Sequence, residues 1–442
     1  MSPTQSGTEP GPADRVALAD EPGPDDTSPE SAVLAGAPEL IADSVGEYAR
    51  IWVKRVRNGE SGALPIVLGL VAIVIFFQVR SSLFLSAGNL VNLMIQGIPF
   101  ILLGMAEVFV LLLGEIDLST GFNAAVGATI TLWAAYTFPW WIAIILGLAT
   151  SAFVGALQGT IITRLGLPSF VVTLAGSLGL EGFLIVLVPK TGHGAGGSIS
   201  NPSNILDDLT SGKLTPVVGW VIMVVLVTLA GLFMLMRDGR RRSSGLVAPP
   251  LGVTLLKIAV MAVAGILVVI VGNTNRGVGL TTLSGVPWAV LIVLGVLVLY
   301  TTLTSRTRFG RYIYAIGGNA EAARRAGVNL ITIRTLCFML CGLTAGLAGI
   351  MLASNLSSMG TNINGGEYVL FAVASAVIGG TNLFGGRGKM IHALLGGLVI
   401  AVIYNGLGLI GLAAGPTFMV TALVLLAAVT IDTLARRRGA VN

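Results

Sequence analysis

The sequence predicts an all-α polytopic membrane protein, and three observations carry that reading. The mean hydropathy of its 442 residues is +0.88, far above what a water-soluble chain sustains. Hydrophobic residues make up 54% of it and charged residues only 11%. Apolar runs of about 20 residues recur along most of its length, each long enough to cross a bilayer core as a helix. Glycine, at 59 residues, suits close helix crossings and broken helices.

Residues 1–47 are rich in proline, serine, glycine and acid without apolar periodicity, and they predict a disordered acidic tail on the cytoplasmic side. The tail has no basic start and no apolar core of a secretory signal, so it is not expected to be cleaved. Residues 48–63 follow as an interfacial helix, with Trp52 at headgroup level and Lys54, Arg55 and Arg57 on the cytoplasmic side. About twelve transmembrane spans then fall near 64–80, 90–113, 119–137, 140–163, 169–189, 216–236, 254–272, 287–304, 331–353, 367–380, 390–412 and 416–434. Starting inside, this even count puts both termini and nearly every basic cluster in the cytoplasm, with Arg80, Lys190 and Arg276 as single exceptions.

The charge supports the same topology. The first 49 residues carry ten acids and one base, which leaves 25 bases against 11 acids elsewhere. That excess reads as arginine holding loops inside, and not as nucleic-acid binding. Residues 190–215, with Gly192, His193 and Pro202, read as a flexible outer loop, either a linker or a contact surface for a delivery protein. Cys337 and Cys341 lie one helical turn apart in an apolar run and read as packed small hydrophobes. Neither a catalytic triad nor a metal-ligand pattern is present in the sequence, and His193 and His392 are isolated.

Between the eighth and ninth spans lies a polar island, 305–330. Residues 319–326 read as a short helix: Asn319 is its N-cap, Glu321 sits in its first turn, Arg324 and Arg325 in its last, and Gly327 stops it. A helix of about two turns is unstable alone in water, so it must dock on something. The stretch Glu321-Ala-Ala-Arg-Arg-Ala-Gly327, with Ala322 and Ala323 inside it, resembles the coupling loop of ABC-importer permeases, and the flanking 309–319 resembles the monosaccharide permeases of ribose and xylose type, closest to xylose. The resemblance covers roughly 64–436; the acidic tail lies outside it. It implies a type II, vitamin-B12-importer-like permease core and a homodimer with the substrate path on its axis. It also implies an extracytoplasmic sugar-binding protein outside, and an ABC ATPase subunit receiving residues 319–326 inside. The helices at 216–236 and 254–272 then read as an inserted pair that xylose-type permeases share.

Two polar breaks interrupt the apolar runs. Gly114-Glu-Ile-Asp-Leu-Ser-Thr-Gly121 places Glu115 and Asp117 between spans, with Asp117 and Ser119 able to cap a helix starting near Thr120. Carboxylates so placed must face water, a partner or a cavity, so the break is either a wet turn or part of the translocation path. The stretch also resembles a signature of monosaccharide permeases, which favours the path. Asn89, Asn92 and Gln96 form one stripe toward Pro99, suited to sugar hydroxyls or to gluing helices together. Glu107 and Glu181 are expected to face the protein interior.

The second break, 355–366, contains Asn362 and Asn364 and leads into Glu367. Beyond it, Ile378-Gly-Gly-Thr-Asn-Leu-Phe-Gly-Gly-Arg-Gly388 is not a phosphate loop: Leu383 stands where a glycine belongs and Met390 where a hydroxyl residue belongs. The chain is therefore expected to bind no cofactor itself, with ATP and magnesium held by the partner. The expected path residues are Asn92, Gln96, Glu115, Asp117, Ser119, Asn364 and Glu367. A proton-coupled secondary transporter is the alternative, with Glu115 or Asp117 as its proton site.

Overall fold

The computed structural model describes residues 64–412, apart from 247, 278–281 and 362, together with Gly46, Arg50 and scattered helical positions between 415 and 430. The expected disordered tail, the interfacial helix, Asn362, most of the last span and the C-terminal arginines lie outside the described residues.

Helices dominate, because in an apolar chain each backbone N–H finds its carbonyl within the same segment. They are α1 (Leu64–Arg80), α2 (Ala87–Leu111), α3 (Thr120–Ala135), α4 (Trp140–Leu165) and α5 (Ser169–Lys190), then α6 (Asn204–Ser211), α7 (Pro216–Ser243) and α8 (Leu251–Asn273). After them come α9 (Trp288–Arg306), α10 (Arg308–Gly318), α11 (Ala320–Arg325), α12 (Leu330–Leu356), α13 (Gly365–Ile378) and α14 (Met390–Leu409). Among the described residues eight helices are long and apolar enough to cross a membrane, and α1 and α13 are shorter apolar helices.

The core forms around α2 and α12. Helix α12 packs on α4, α2 and α3, and α14 packs on α2. Glycine permits these crossings: a Cβ at Gly349 would overlap the carbonyl of Ala124, and one at Gly155 that of Phe338. By contrast α7 and α8 pack mainly on each other, with few buried residues. Their pairing is fixed where Asp238, only 2% exposed, accepts from Thr254 at 2.8 Å and pairs with Arg237 at 2.9 Å.

The segment after α5 differs from the flexible loop that its composition predicts. Strands β1 (Gly194–Ala195), β2 (Ser198–Ser200) and β3 (Ser358–Gly360) form a small antiparallel sheet in the order β1-β2-β3, with Ile199 opposite Met359. Helix α6 then seats on α12 through Thr210 and Ser354, whose hydroxyls are 2.7 Å apart. The pairing partner β3 comes from the far side of the sequence, which local composition cannot reveal. His193 stacks on Tyr136 at 3.7 Å between ring centroids, a structural position.

The two ends of the bundle differ in charge. Arg164, Arg240 to Arg242, Arg306 to Arg325, Arg334 and Arg387 belong to the end opposite the sheet, hereafter the basic end. Arg80, Lys190, Lys213 and Arg276 belong to the sheet end, so Lys213 joins the three exceptions read from the sequence.

Candidate functional site

At the basic end, the polar island folds into two helices, where only the second is legible from its caps. Helix α10 begins at Thr307, whose hydroxyl accepts from the Gly310 N–H at 3.2 Å, and buries Gly310, Ile313 and Ile316. These positions recur every three residues, which marks an amphipathic helix lying on the bundle. Helix α11 follows directly. Asn319 caps it, accepting from the Ala322 N–H at 2.9 Å, and Gly327 ends it at φ +82°. Of its residues Ala323 alone is buried, joining the main core, with the half-buried Ala320 packed beside it, so the helix is seated by two methyl groups and its backbone ends. Ala322, Glu321, Arg324 and Arg325 are exposed.

Glu321 accepts from Arg324 Nε at 3.0 Å and Nη2 at 2.9 Å, and from Arg325 Nε at 3.1 Å. These guanidinium groups hold its carboxyl below the usual carboxylate range. A lowered carboxylate keeps its partners above its unfolded value and loses them as pH falls through the folded one, so this clamp is complete above about pH 4.3 and weakens only below it. Asn319→Ala removes the cap, and we expect it to cost about 1 kcal/mol of local helix stability. The expected result is faster backbone amide exchange over 320–327 with little change in α12; equal exchange in both would sink this assignment of the cap.

A junction of glycines ties this pair to the membrane helices. The Gly386 N–H donates to the Leu112 carbonyl at 2.9 Å, and the Tyr314 hydroxyl donates to the Gly388 carbonyl at 2.7 Å. Gly317 lies against Leu112 and Gly386, and Gly385 against Gly114 and Gly317, closer than any side chain allows. Gly114, Gly385 and Gly386 all have positive φ. The glycine-rich loop 379–388 therefore serves backbone packing between α2, α10 and α13.

From Leu112 the chain climbs back into the bundle and starts α3 at Thr120. Glu115 pairs with Arg334 at the start of α12, at 3.2 Å. Asp117 is fully buried; its Oδ1 accepts from the Ser119 N–H at 2.8 Å and its hydroxyl at 2.6 Å, and its Oδ2 lies 3.6 Å from the Cys341 thiol. Ser119 occupies the N-cap position but makes no cap bond, because its hydroxyl turns back to Asp117 and lies 3.0 Å from Gln158. Cys341 is thus more than a packed hydrophobe. Thr120 donates to Glu107 at 2.6 Å, so Glu107 does face the interior, fully buried; Glu181 is half-buried instead.

The other expected path residues lie toward the sheet end. Asn89 donates to Asn405 at 2.9 Å and Asn405 to Gln96 at 3.0 Å, so this part of the stripe glues α2 to α14. Asn92 is exposed and lines a cavity of about 410 Å³ with Lys213 and Arg276. Asn364 caps α13 at Glu367, whose N–H it accepts at 3.4 Å. A second cavity of about 130 Å³ opens between α2, α12, α13 and α14, lined among others by Gln96, Phe100, Asn355, Tyr368 and Tyr404. The sequence reading missed Arg334, Asn405, Tyr368 and Tyr404; lone tyrosines in apolar runs were the available signal for the last two. The structure thus separates the seven expected path residues into two groups, Glu115, Asp117 and Ser119 in one and Asn92, Gln96, Asn364 and Glu367 in the other.

Comparison with known proteins adds lineage to this geometry. The xylose transport system permease protein XylH of Escherichia coli (strain K12) is 32% identical over 380 residues, covering 85% of this chain and 92% of that protein. The ribose import permease protein RbsC of the same strain is 42% identical over 148 residues, 34% of this chain and 46% of that protein. The D-allose transport system permease protein AlsC, also of that strain, is 26% identical over 366 residues, 82% of this chain and 89% of that protein. No solved structure matches. Residues 89–430 match the family model BPD_transp_2, described as branched-chain amino acid transport system / permease component, and the chain belongs to that permease family.

Proposed function

We infer that this chain is the membrane subunit of an ATP-binding-cassette importer that carries a monosaccharide, of the pentose class, across a bacterial inner membrane. The observation that carries this reading is α11: a capped, charged, exposed two-turn helix rigidly joined through α10 to the main core, as a lever from a motor subunit requires. The family's description mentions an amino acid, whereas relatives matched over more than four-fifths of the chain are named for xylose and allose.

In this reading the basic end is cytoplasmic, with both termini there, as the arginine bias supports. About twelve spans form a type II, vitamin-B12-importer-like core, with α7 and α8 as the inserted pair. Two copies enclose the path, an ATPase subunit receives 319–327, and an extracytoplasmic sugar-binding protein docks at the sheet end. ATP and magnesium belong to the ATPase. Asn92, Gln96, Asn364 and Glu367 are assigned to the path. Glu115, Asp117 and Ser119 are assigned to holding the break between α2 and α3.

Affinity purification from the native host tests this. The intact chain should bring down an ATPase subunit, and a Glu321→Arg, Gly327→Asp double variant should lose it while eluting at the same size. Uptake should follow xylose or ribose over leucine and stop when ATP is depleted. Uptake that persists without ATP and collapses with the proton gradient would favour the secondary transporter.

A further inference from the structure

We propose that Gln96, Tyr368 and Tyr404, set against the face of Phe100, form a transit subsite for a single sugar ring near the sheet end of the path; this rests on the importer reading above. The site is built from four helices. Phe100, 3% exposed, is fixed in the core next to Pro99 of α2. Its ring lies 6.0 Å from that of Tyr368 at 18° and 5.4 Å from that of Tyr404 at 59°, and Phe371 braces it edge-on at 5.2 Å. The rings form a curved apolar wall whose outer member, Tyr404, is 40% exposed.

The polar groups are placed on the same opening. Asn405 accepts from Asn89 and donates to the Gln96 carbonyl, which fixes the Gln96 amide. That leaves the Gln96 N–H2 and the two tyrosine hydroxyls without a partner among the described residues. Unpaired polar groups in an apolar bundle carry a desolvation cost unless they face water or a polar solute. A cluster that served packing alone would be made of phenylalanine and leucine. An apolar face beside amide and phenol groups matches a pyranose, whose C–H faces are apolar and whose rim carries hydroxyls. The cavity of about 130 Å³ leaves room for one small ring. Its openness suits a station from which substrate must leave.

The test uses the assembled importer in proteoliposomes, with radiolabelled D-xylose and D-ribose and with ATP hydrolysis followed in parallel. Tyr404→Leu and Gln96→Leu should each lower uptake about tenfold or change the preference between the two sugars, while hydrolysis stimulated by loaded binding protein stays within twofold. Tyr404→Phe, which keeps the ring and removes only the hydroxyl, should lower uptake less than Tyr404→Leu but measurably below wild type. Wild-type uptake rates and preference in both leucine variants would overturn the subsite. So would a loss of uptake that merely tracks loss of assembled complex or thermal stability, since that is what a packing role produces. If the wild-type assembly itself shows no ATP-driven sugar uptake, the importer reading falls, and the subsite with it.

Discussion

Gly317→Val is expected to abolish transport, while its neighbour Gly318→Ala leaves transport close to wild type. A Cβ at Gly317 would overlap the Leu112 carbonyl and press on the Gly386 N–H, and both neighbours are backbone that cannot rotate away. Valine adds more bulk at the point where α10, the end of α2 and the glycine-rich loop meet. Overpacking of this kind costs about 3 kcal/mol in a rigid site. The cheapest relief is for α10 to lift off, which would carry α11 with it and unhook the exposed helix from the bundle. Uptake should fall at least tenfold even where the protein remains in the membrane. A methyl group added at Gly318 would have no neighbour within 4 Å, so alanine there meets open space. Parallel uptake assays and thermal unfolding of the two variants in detergent decide the matter. Equal behaviour of the two would show that the junction does not transmit force.

Arg334→Ala should destabilise the chain by about 2 kcal/mol, since it strips the cation from Glu115. The Glu115 side chain is only 11% exposed, Arg334 30%, and their contact of 3.2 Å joins the re-entrant loop to the start of α12. Breaking such a pair leaves a carboxylate in a poor solvent, whereas removing both charges leaves little to compensate. The Glu115→Gln, Arg334→Ala double variant should therefore recover more than half of the lost stability, read as a rise in the unfolding midpoint over Arg334→Ala. Additive losses in the double-mutant cycle would mean the two side chains do not support one another.

The apolar spans, the basic bias of their loops, the cap at Asn319 and the stop at Gly327 were all legible in the sequence, because each depends on residues within a few positions of one another. Glu107's inward face followed from its cost in a membrane. Helix α10 was missed, since its apolar positions Ile313 and Ile316 are few and lie among arginines and glycines. The sheet was missed because β3 pairs with β2 across more than 150 residues. The role of the Asn89 and Gln96 stripe stayed open until Asn405 arrived from α14 to bridge it.

The sequence by itself determined that this chain crosses a membrane as helices and carries one capped helix in a basic segment. It did so through solvent transfer and local backbone geometry, which act on short stretches. Tertiary structure alone decided which of two adjacent glycines bears on backbone, why Asp117 needs Ser119 and Cys341, and where three aromatic rings meet a glutamine. Those outcomes depend on close approach between residues far apart in the chain, where a shift of an ångström separates contact from overlap.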